Sequence, residues 1–150
     1  MPSGEELIKF SSNINSKVLI GYPSGKQHTA GSNAQSDSET VELAELAKRL
    51  SFGDSSLPPR PFIENGLQSA NEQLKQSVKK QVDNIQAGHG GNWGEVGTLA
   101  VGAVQALVRS DFYKSTAPNS PETIESKKSD TPLIDTGDLI NSLTFVVERQ

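Results

Sequence analysis

The chain has 150 residues, with 18 acidic and 14 basic side chains that give a net charge of −4 at pH 7. Only 33% of the residues are hydrophobic, and there is no cysteine, which excludes disulfides and thiolate metal sites. This length predicts one domain over residues 1–150. The low apolar content indicates a thin core, to which oligomerisation can add buried surface.

The composition also argues against several classes of function. No apolar run approaches the length of a transmembrane helix, and the start lacks a signal-peptide pattern, so we expect a soluble protein and no membrane partner. The basic residues form dispersed pairs without interleaved aromatics, which argues against specific nucleic-acid binding. His28 and His89 are single histidines in glycine-rich surroundings. We therefore expect no metal site and no cofactor.

The first 40 residues contain two predicted elements and a loop. Ser3 and Glu6 have capping-box spacing, and apolar residues at positions 7, 10 and 14 follow at helical spacing, which predicts a short helix. Lys17–Tyr22 alternates like a strand. Residues 21–39 are rich in Gly and Ser and nearly free of large apolar side chains, so burial cannot offset their ordering entropy. We predict a flexible loop there, or a segment that a neighbouring subunit orders.

Three helices are predicted in the middle of the chain. Thr40–Leu50 forms an amphipathic helix that ends near Gly53. Pro61–Gln86 has apolar residues at positions 63, 67, 70, 74, 78, 82 and 85, which predicts one long helix. Trp93–Ser110 forms the third, with an apolar stripe at positions 96, 99, 100, 103 and 107 and glycines at 94, 97 and 102 that allow close packing. The glycine-rich segment between the long helices follows a helix rather than a strand, so it is a hinge and not a phosphate loop.

The segment before the long helix reads Leu-Pro-Pro-Arg-Pro-Phe and is stiff because prolines fix φ. Arg60 lies between Pro59 and Pro61 and has a set direction, which suits a carboxylate of a neighbouring subunit. Alternatively, the element only orients the helix. Phe62 is predicted to anchor this corner in the core.

The C-terminal part combines a proline-rich loop, a short helix and a strand. Pro118 and Pro121 bracket a predicted helix start that Ser120 can cap, and Pro132 disfavours helix at Thr131. Asp135 is the predicted N-cap of a helix over Thr136–Ser142. Residues 143–147 alternate as a strand with one buried face.

Together these elements predict an α+β fold, with a small antiparallel or mixed sheet packed against two long amphipathic helices. A further strand is expected in the ambiguous segments, because two strands alone rarely form a stable sheet.

Two blocks carry a resemblance to a known family. Arg60-Pro61-Phe62 opens the long helix, and residues 127–137, KKSDTPLIDTG, lead into the last strand. Both blocks, in this order, resemble the tail-completion or head–tail joining proteins of tailed bacteriophages. Residues 21–39 depart from that pattern, being longer and richer in Gly and Ser.

The resemblance implies a structural virion protein that forms a ring at the neck, without enzymatic activity. Its partners would be copies of itself, as a hexamer or dodecamer, the head connector or adaptor, and tail proteins; DNA would pass through the ring without specific binding. Such a protein is made in the bacterial cytoplasm and ends in the virion. A tail terminator ring is the alternative. The candidate interface residues are Pro59, Arg60, Pro61, Lys128, Asp130 and Asp135.

Asp135-Thr136-Gly137 also matches the active-site element of aspartic proteases. That chemistry needs two such carboxylates that share one proton. Only 13 residues follow Gly137, which leaves no room for a flap and further strands. A helix N-cap is therefore the preferred interpretation, and a hydrolase is the weaker alternative.

Overall fold

The computed structural model describes residues 15–23, 27–28, 41–121 and 137–149. In chain order, the elements are β1 (Ser16–Gly21), β2 (Gln27–His28), β3 (Val41–Glu42), α1 (Leu43–Phe52), α2 (Phe62–Ser69), α3 (Asn71–Gln86), α4 (Trp93–Arg109), α5 (Phe112–Thr116), α6 (Asp138–Asn141) and β4 (Thr144–Arg149). The predicted helices at residues 3–14 and after Ser120, and most of the loop at 21–39, lie outside the described residues.

The first and last strands of the described chain pair with each other. β1 and β4 are antiparallel, and their register runs from Ser16 opposite Arg149 to Gly21 opposite Thr144. Both strands were predicted from their period-2 alternation, and both are confirmed. This two-stranded sheet, the β1–β4 ribbon, packs with one face on α4. The α+β class is thus confirmed, with a small antiparallel sheet and several helices.

A second strand pair forms from β2 and β3, with Gln27 opposite Glu42 and His28 opposite Val41. The expectation of further strands is met by this pair, but it forms a separate sheet and does not extend the ribbon within the described residues. Because Val41 and Glu42 are extended, α1 begins at Leu43 rather than at the predicted Thr40. Leu43 and Ala47 are buried in it, as its apolar stripe predicts.

The predicted helix over Pro61–Gln86 is in fact two helices, α2 and α3, separated at Ala70. Ala70 has φ −110° and ψ 17°, away from helical values, and the Ser69 hydroxyl donates to the Gly66 carbonyl at 2.6 Å. The buried residues of α3 are Ser77, Gln81 and Ile85, whereas Val78 is exposed. Of the predicted apolar stripe in α3, Ile85 is buried and Leu74 and Val82 are half-buried, so the prediction is confirmed except at Val78. The burial of Ser77 and Gln81 is not predicted by the apolar repeat.

The helix α4 ends at Arg109, within one residue of its prediction, and is the central element of the fold. Its buried residues include Val96 and Ala100, as predicted, but also Val104 and Val108 instead of the predicted stripe through Leu107. Apolar residues occur on several sides of this helix, so periodicity alone does not select one face. The ribbon packs mainly on α4, and α3 packs on α4 too.

The short helix α6 begins at Asp138, and its N-cap position is Gly137 with φ +86°. The predicted N-cap at Asp135 is therefore wrong, because the helix starts at Asp138, two residues after the predicted start at Thr136. A positive φ suits glycine, which has no Cβ to clash with the backbone. The Gly137 carbonyl accepts the first helical bond from Asn141 at 2.9 Å.

The core joins both ends of the described chain to the central helices. Its buried members are Leu43, Ala47, Phe62, Val104, Val108, Tyr113, Ala117, Leu139, Ile140 and Leu143. The Tyr22 hydroxyl adds a 2.6 Å bond to the Leu139 carbonyl across 117 positions of sequence. Burial raises the pKa of Tyr22, so this hydroxyl stays a donor at all physiological pH values.

A glycine at the crossing of α2 and α4 provides a test of this packing. A Cβ on Gly66 would lie 2.5 Å from the Val104 Cα, whereas one on Gly102 would meet nothing within 4 Å. We expect Gly66→Ala to destabilise the fold by about 2–3 kcal/mol, because two backbones must separate. Gly102→Ala, in the same helix bundle, should stabilise by about 0.5–1 kcal/mol. Urea denaturation of both variants measures this difference, and equal effects would show that the helices do not touch here.

Candidate assembly surface

Arg60, the central interface candidate, forms hydrogen bonds within its own chain. Its side chain is only 4% exposed. Nε donates to the Ala117 carbonyl at 2.8 Å, and Nη2 donates to the Pro118 carbonyl at 3.0 Å and to Asn119 Oδ1 at 3.3 Å. Burial lowers the pKa of Arg60, and the nearby Tyr113 partly offsets this. These donors bind two backbone carbonyls and the Asn119 side chain after α5 of the same chain. The contact with a carboxylate of another subunit stays a prediction.

The surrounding segment connects several elements. The Arg60 backbone N–H donates to the Leu50 carbonyl at 2.9 Å, which fastens the segment to the end of α1. Pro59 is exposed and Pro61 is partly buried, next to the buried Phe62. The alternative interpretation, that this element orients the following helix, agrees with these contacts. Of the interface candidates Pro59, Arg60 and Pro61, Pro59 is the exposed one.

The turn before this segment is held by Asp54. Its carboxylate accepts bonds from the Ser56 hydroxyl and backbone N–H, both at 2.8 Å, and from Arg49 Nε at 2.9 Å. These bonds, led by those from Ser56, lower the pKa of Asp54 from 3.8 to about 2. The turn is therefore intact at neutral pH and at mildly acidic pH. The turn connects α1 to the proline-rich segment at residues 57–62.

The remaining candidates, Lys128, Asp130 and Asp135, lie outside the described residues. Of the protease-like motif, only Gly137 is described, and it is the N-cap of α6. Within the described ranges, no group of three or more His, Cys, Asp or Glu side chains is placed to hold a metal ion. In that same part of the chain, no helix has the length and apolar character to span a membrane.

The outer face of the β1–β4 ribbon is the main feature that the sequence analysis did not single out. Leu19 is 47% exposed and Val146 is 56% exposed, and these two residues are directly opposite each other in the register. Lys17 and Glu148 form the next opposed pair on this face, and both are exposed. The signal was present in the sequence, because Leu19 and Val146 occupy strand positions where a solvent-facing side chain is usually polar.

The inner face fixes the ribbon on the rest of the molecule. A Cβ on Gly97 would overlap the ring of Phe145, so the ring lies directly against the α4 backbone. The predicted close approach at Gly97 is thus observed, whereas a Cβ on Gly102 would meet nothing within 4 Å. Because the inner face is packed, the orientation of the outer face is determined by α4.

Other exposed apolar residues occur singly. Phe52 is 77% exposed at the end of α1, and Phe112 is 40% exposed at the start of α5. Scattered exposed apolar residues are common and need no special explanation. In the ribbon, by contrast, two apolar residues are adjacent on an ordered surface with an opposite-charge pair beside them. The outer face of the ribbon is therefore a mixed apolar and charged surface.

Comparisons with known proteins give no relative of this chain. The chain has no significant match among protein-family models, curated proteins or solved structures. The ribbon and the Arg60 junction are therefore interpreted from their own geometry.

Proposed function

We propose that this chain is a structural virion protein of a tailed bacteriophage that forms a ring at the neck and joins the head connector to the tail. The proposal is supported by the resemblance of Arg60-Pro61-Phe62 and of residues 127–137 to tail-completion proteins. Its partners would be further copies of the chain, the head connector and tail proteins. DNA would pass through the ring without base-specific contacts.

The structural observation that supports an assembly role best is the outer face of the ribbon. Leu19 and Val146 expose apolar surface on a regular, well-packed β element, and burial of such surface favours association. An enzyme of this size would be expected to bring titratable or nucleophilic side chains together in a cleft. Several acidic residues of the described ranges instead pair with lysine or arginine on the surface, as Glu95 does with Lys80 at 2.8 Å.

The test is removal of the protein from the phage that encodes it. We expect DNA-filled heads and free tails to accumulate separately, and added purified protein to restore joined particles in the extract. Electron microscopy counts the joined and unjoined particles, and mass spectrometry of purified virions locates the protein. Joined, infectious particles that lack the protein would contradict the proposal.

The same extract separates the neck role from that of a tail terminator, which would also form a ring. A neck protein makes heads competent for joining when it is incubated with heads first. A tail terminator instead acts on tails, and its absence gives tails of uncontrolled length. The weaker hydrolase alternative predicts peptide cleavage that Asp135→Asn abolishes, and we expect no such cleavage.

A further inference from the structure

Asn65 and Gly66 form the single Asn-Gly dipeptide of the sequence, and the fold requires its glycine. Gly66 is buried in α2 where that helix crosses α4. A Cβ at this position would lie 2.5 Å from the Val104 Cα and 2.8 Å from the Val104 Cγ2. Any other residue would bring a Cβ against the α4 backbone. The packing of the two helices therefore keeps a chemically reactive pair of residues in the chain.

Asparagine is among the thermolabile residues, and a following glycine makes it more reactive because no side chain hinders the attack. The Gly66 backbone nitrogen can attack the Asn65 Cγ, and the new N–Cγ bond closes a succinimide ring. The Cγ–Nδ2 bond breaks, and the proton of the attacking nitrogen leaves with the released ammonia. Water then opens the ring at either of its carbonyl carbons. One opening gives aspartate, and the other gives isoaspartate, in which the main chain runs through the former side chain.

In the folded chain, the structure of α2 opposes this attack. Inside an α-helix each N–H donates to the carbonyl four residues earlier, so the Gly66 nitrogen is directed at Phe62 rather than at the Asn65 Cγ. The Asn65 Nδ2 donates to the Tyr113 hydroxyl at 2.9 Å, which fixes the side-chain amide. The Asn65 backbone N–H donates to the Pro61 carbonyl, also at 2.9 Å. The reaction at Cγ therefore requires α2 to open.

The two products differ in what the fold can accept. An aspartate at position 65 leaves the main chain unchanged. The Tyr113 hydroxyl, which accepts a bond from the Asn65 amide, can donate to the new carboxylate instead. An isoaspartate lengthens the main chain of α2 and displaces Gly66 from Val104, at a point where the two helix backbones are in close contact. The aspartyl chain can thus refold, whereas the isoaspartyl chain loses the contact between α2 and α4.

We propose that Asn65 is a site of spontaneous deamidation that the packing of α2 on α4 protects, and that the isoaspartyl product does not return to the native fold. The reactants are water and the Gly66 backbone nitrogen, so no enzyme takes part. A chain that stays open is therefore modified irreversibly and lost from the pool that refolds. This inference is independent of the neck function, since it rests on the contacts of α2 alone.

Mass spectrometry of aged full-length protein tests the protection. The chain is kept at mildly alkaline pH with and without denaturing urea, and deamidation at Asn65 is compared with that at Asn84 in the same molecules. In urea we expect Asn65 to react much faster, because the branched Ile85 follows Asn84 and hinders attack. Without urea the rate at Asn65 should fall about a thousandfold or more, as the fraction of open chains does. Equal rates at Asn65 with and without urea, or equal rates at both residues in urea, would overturn the proposal.

Two phenylalanine variants link the rate to the stability of the α2 packing. Phe62→Ala removes the core anchor at the start of α2 and should raise the native-state rate at Asn65 about a hundredfold, equivalent to about 3 kcal/mol at 1.4 kcal/mol per factor of ten. Phe52→Ala is the matched control, because Phe52 is exposed, and should leave the rate unchanged. If Phe62→Ala does not fold, the wild-type rate in increasing urea replaces it and should follow the unfolded fraction. A rate that does not respond to either change would contradict the proposal.

The fate of the products tests the second part of the proposal. Wild-type protein aged in urea is returned to native buffer, and size-exclusion chromatography separates refolded chains from aggregates. We expect aspartate at position 65 among the refolded chains, and isoaspartate, detected with an isoaspartyl methyltransferase, among the aggregates. Asn65→Asp is the control for the new charge alone and should keep the wild-type melting temperature to within a few degrees. Isoaspartyl chains that refold as well as aspartyl chains would show that α2 tolerates the longer backbone.

Discussion

Phe62→Ala is expected to lower the free energy of unfolding by about 3–5 kcal/mol, the usual cost of truncating a fully buried phenylalanine. Phe62 is only 2% exposed and belongs to the same core cluster as Leu43, Val104 and Tyr113. It is the first residue of α2, so its ring anchors the start of that helix in the core. Its loss leaves a cavity in this core cluster. Thermal and urea denaturation measure the effect, and the melting temperature should fall by about 10 °C.

The chain contains a matched control for this variant. Phe52 is the last residue of α1 and is 77% exposed, so Phe52→Ala removes the same side chain without opening a cavity. We expect it to change the free energy of unfolding by no more than about 0.5 kcal/mol. Comparable losses in the two variants would mean that Phe52 is buried in the folded protein. A small loss for Phe62→Ala would mean that α2 does not pack as described.

Arg60→Ala is expected to destabilise the fold by about 3 kcal/mol. The Arg60 guanidinium donates to two backbone carbonyls, those of Ala117 and Pro118, and hydrogen bonds from a charged donor contribute about 1.5–3 kcal/mol each. Removal leaves both carbonyls without this donor in a partly buried position. The segment after α5 should then detach from the start of α2, which hydrogen exchange at residues 113–119 would detect.

Two further arginine variants show whether the loss of stability in Arg60→Ala comes from the guanidinium hydrogen bonds. Arg60→Lys keeps the positive charge but cannot donate in the planar geometry of the guanidinium, so we expect an intermediate loss of stability. Arg49→Ala removes an exposed arginine that pairs with Asp54, and the melting temperature should hardly change. If Arg60→Ala keeps the wild-type melting temperature but fails to join heads to tails, the intrachain role is wrong. The subunit contact expected from the sequence would then be supported.

These results affect how assembly defects should be interpreted. A loss of joined particles in an Arg60 variant would follow from a damaged fold, even if no subunit touched this residue. The outer-face residues Lys17 and Glu148 are exposed, so their substitution changes the surface with little effect on the core. An assembly defect in a Lys17 or Glu148 variant can therefore be assigned to the changed surface rather than to a damaged fold.

Much of the secondary structure could be predicted because local patterns determine it. Lys17–Tyr22 and residues 143–147 alternate with period 2, and strands form at both places. The third predicted helix is observed at Trp93–Arg109, since its apolar repeat begins after a glycine-rich segment that cannot continue a helix. The α+β class follows from these elements. The predicted burial of Phe62 is confirmed as well. The sequence by itself also placed Arg60 in a fixed direction between two prolines.

Which faces meet and which residues pair depends on the three-dimensional fold. The break at Ala70 divides the predicted single helix into two, and Gln81 is 0% exposed although it lies outside the apolar repeat. Gln81 can be buried because its amide accepts from the Asn92 backbone N–H at 2.8 Å, a partner that periodicity does not reveal. Arg60 likewise finds its carbonyl partner 57 positions away. Local sequence sets backbone preference, whereas burial of a polar group depends on partners that only the folded chain brings within hydrogen-bond distance.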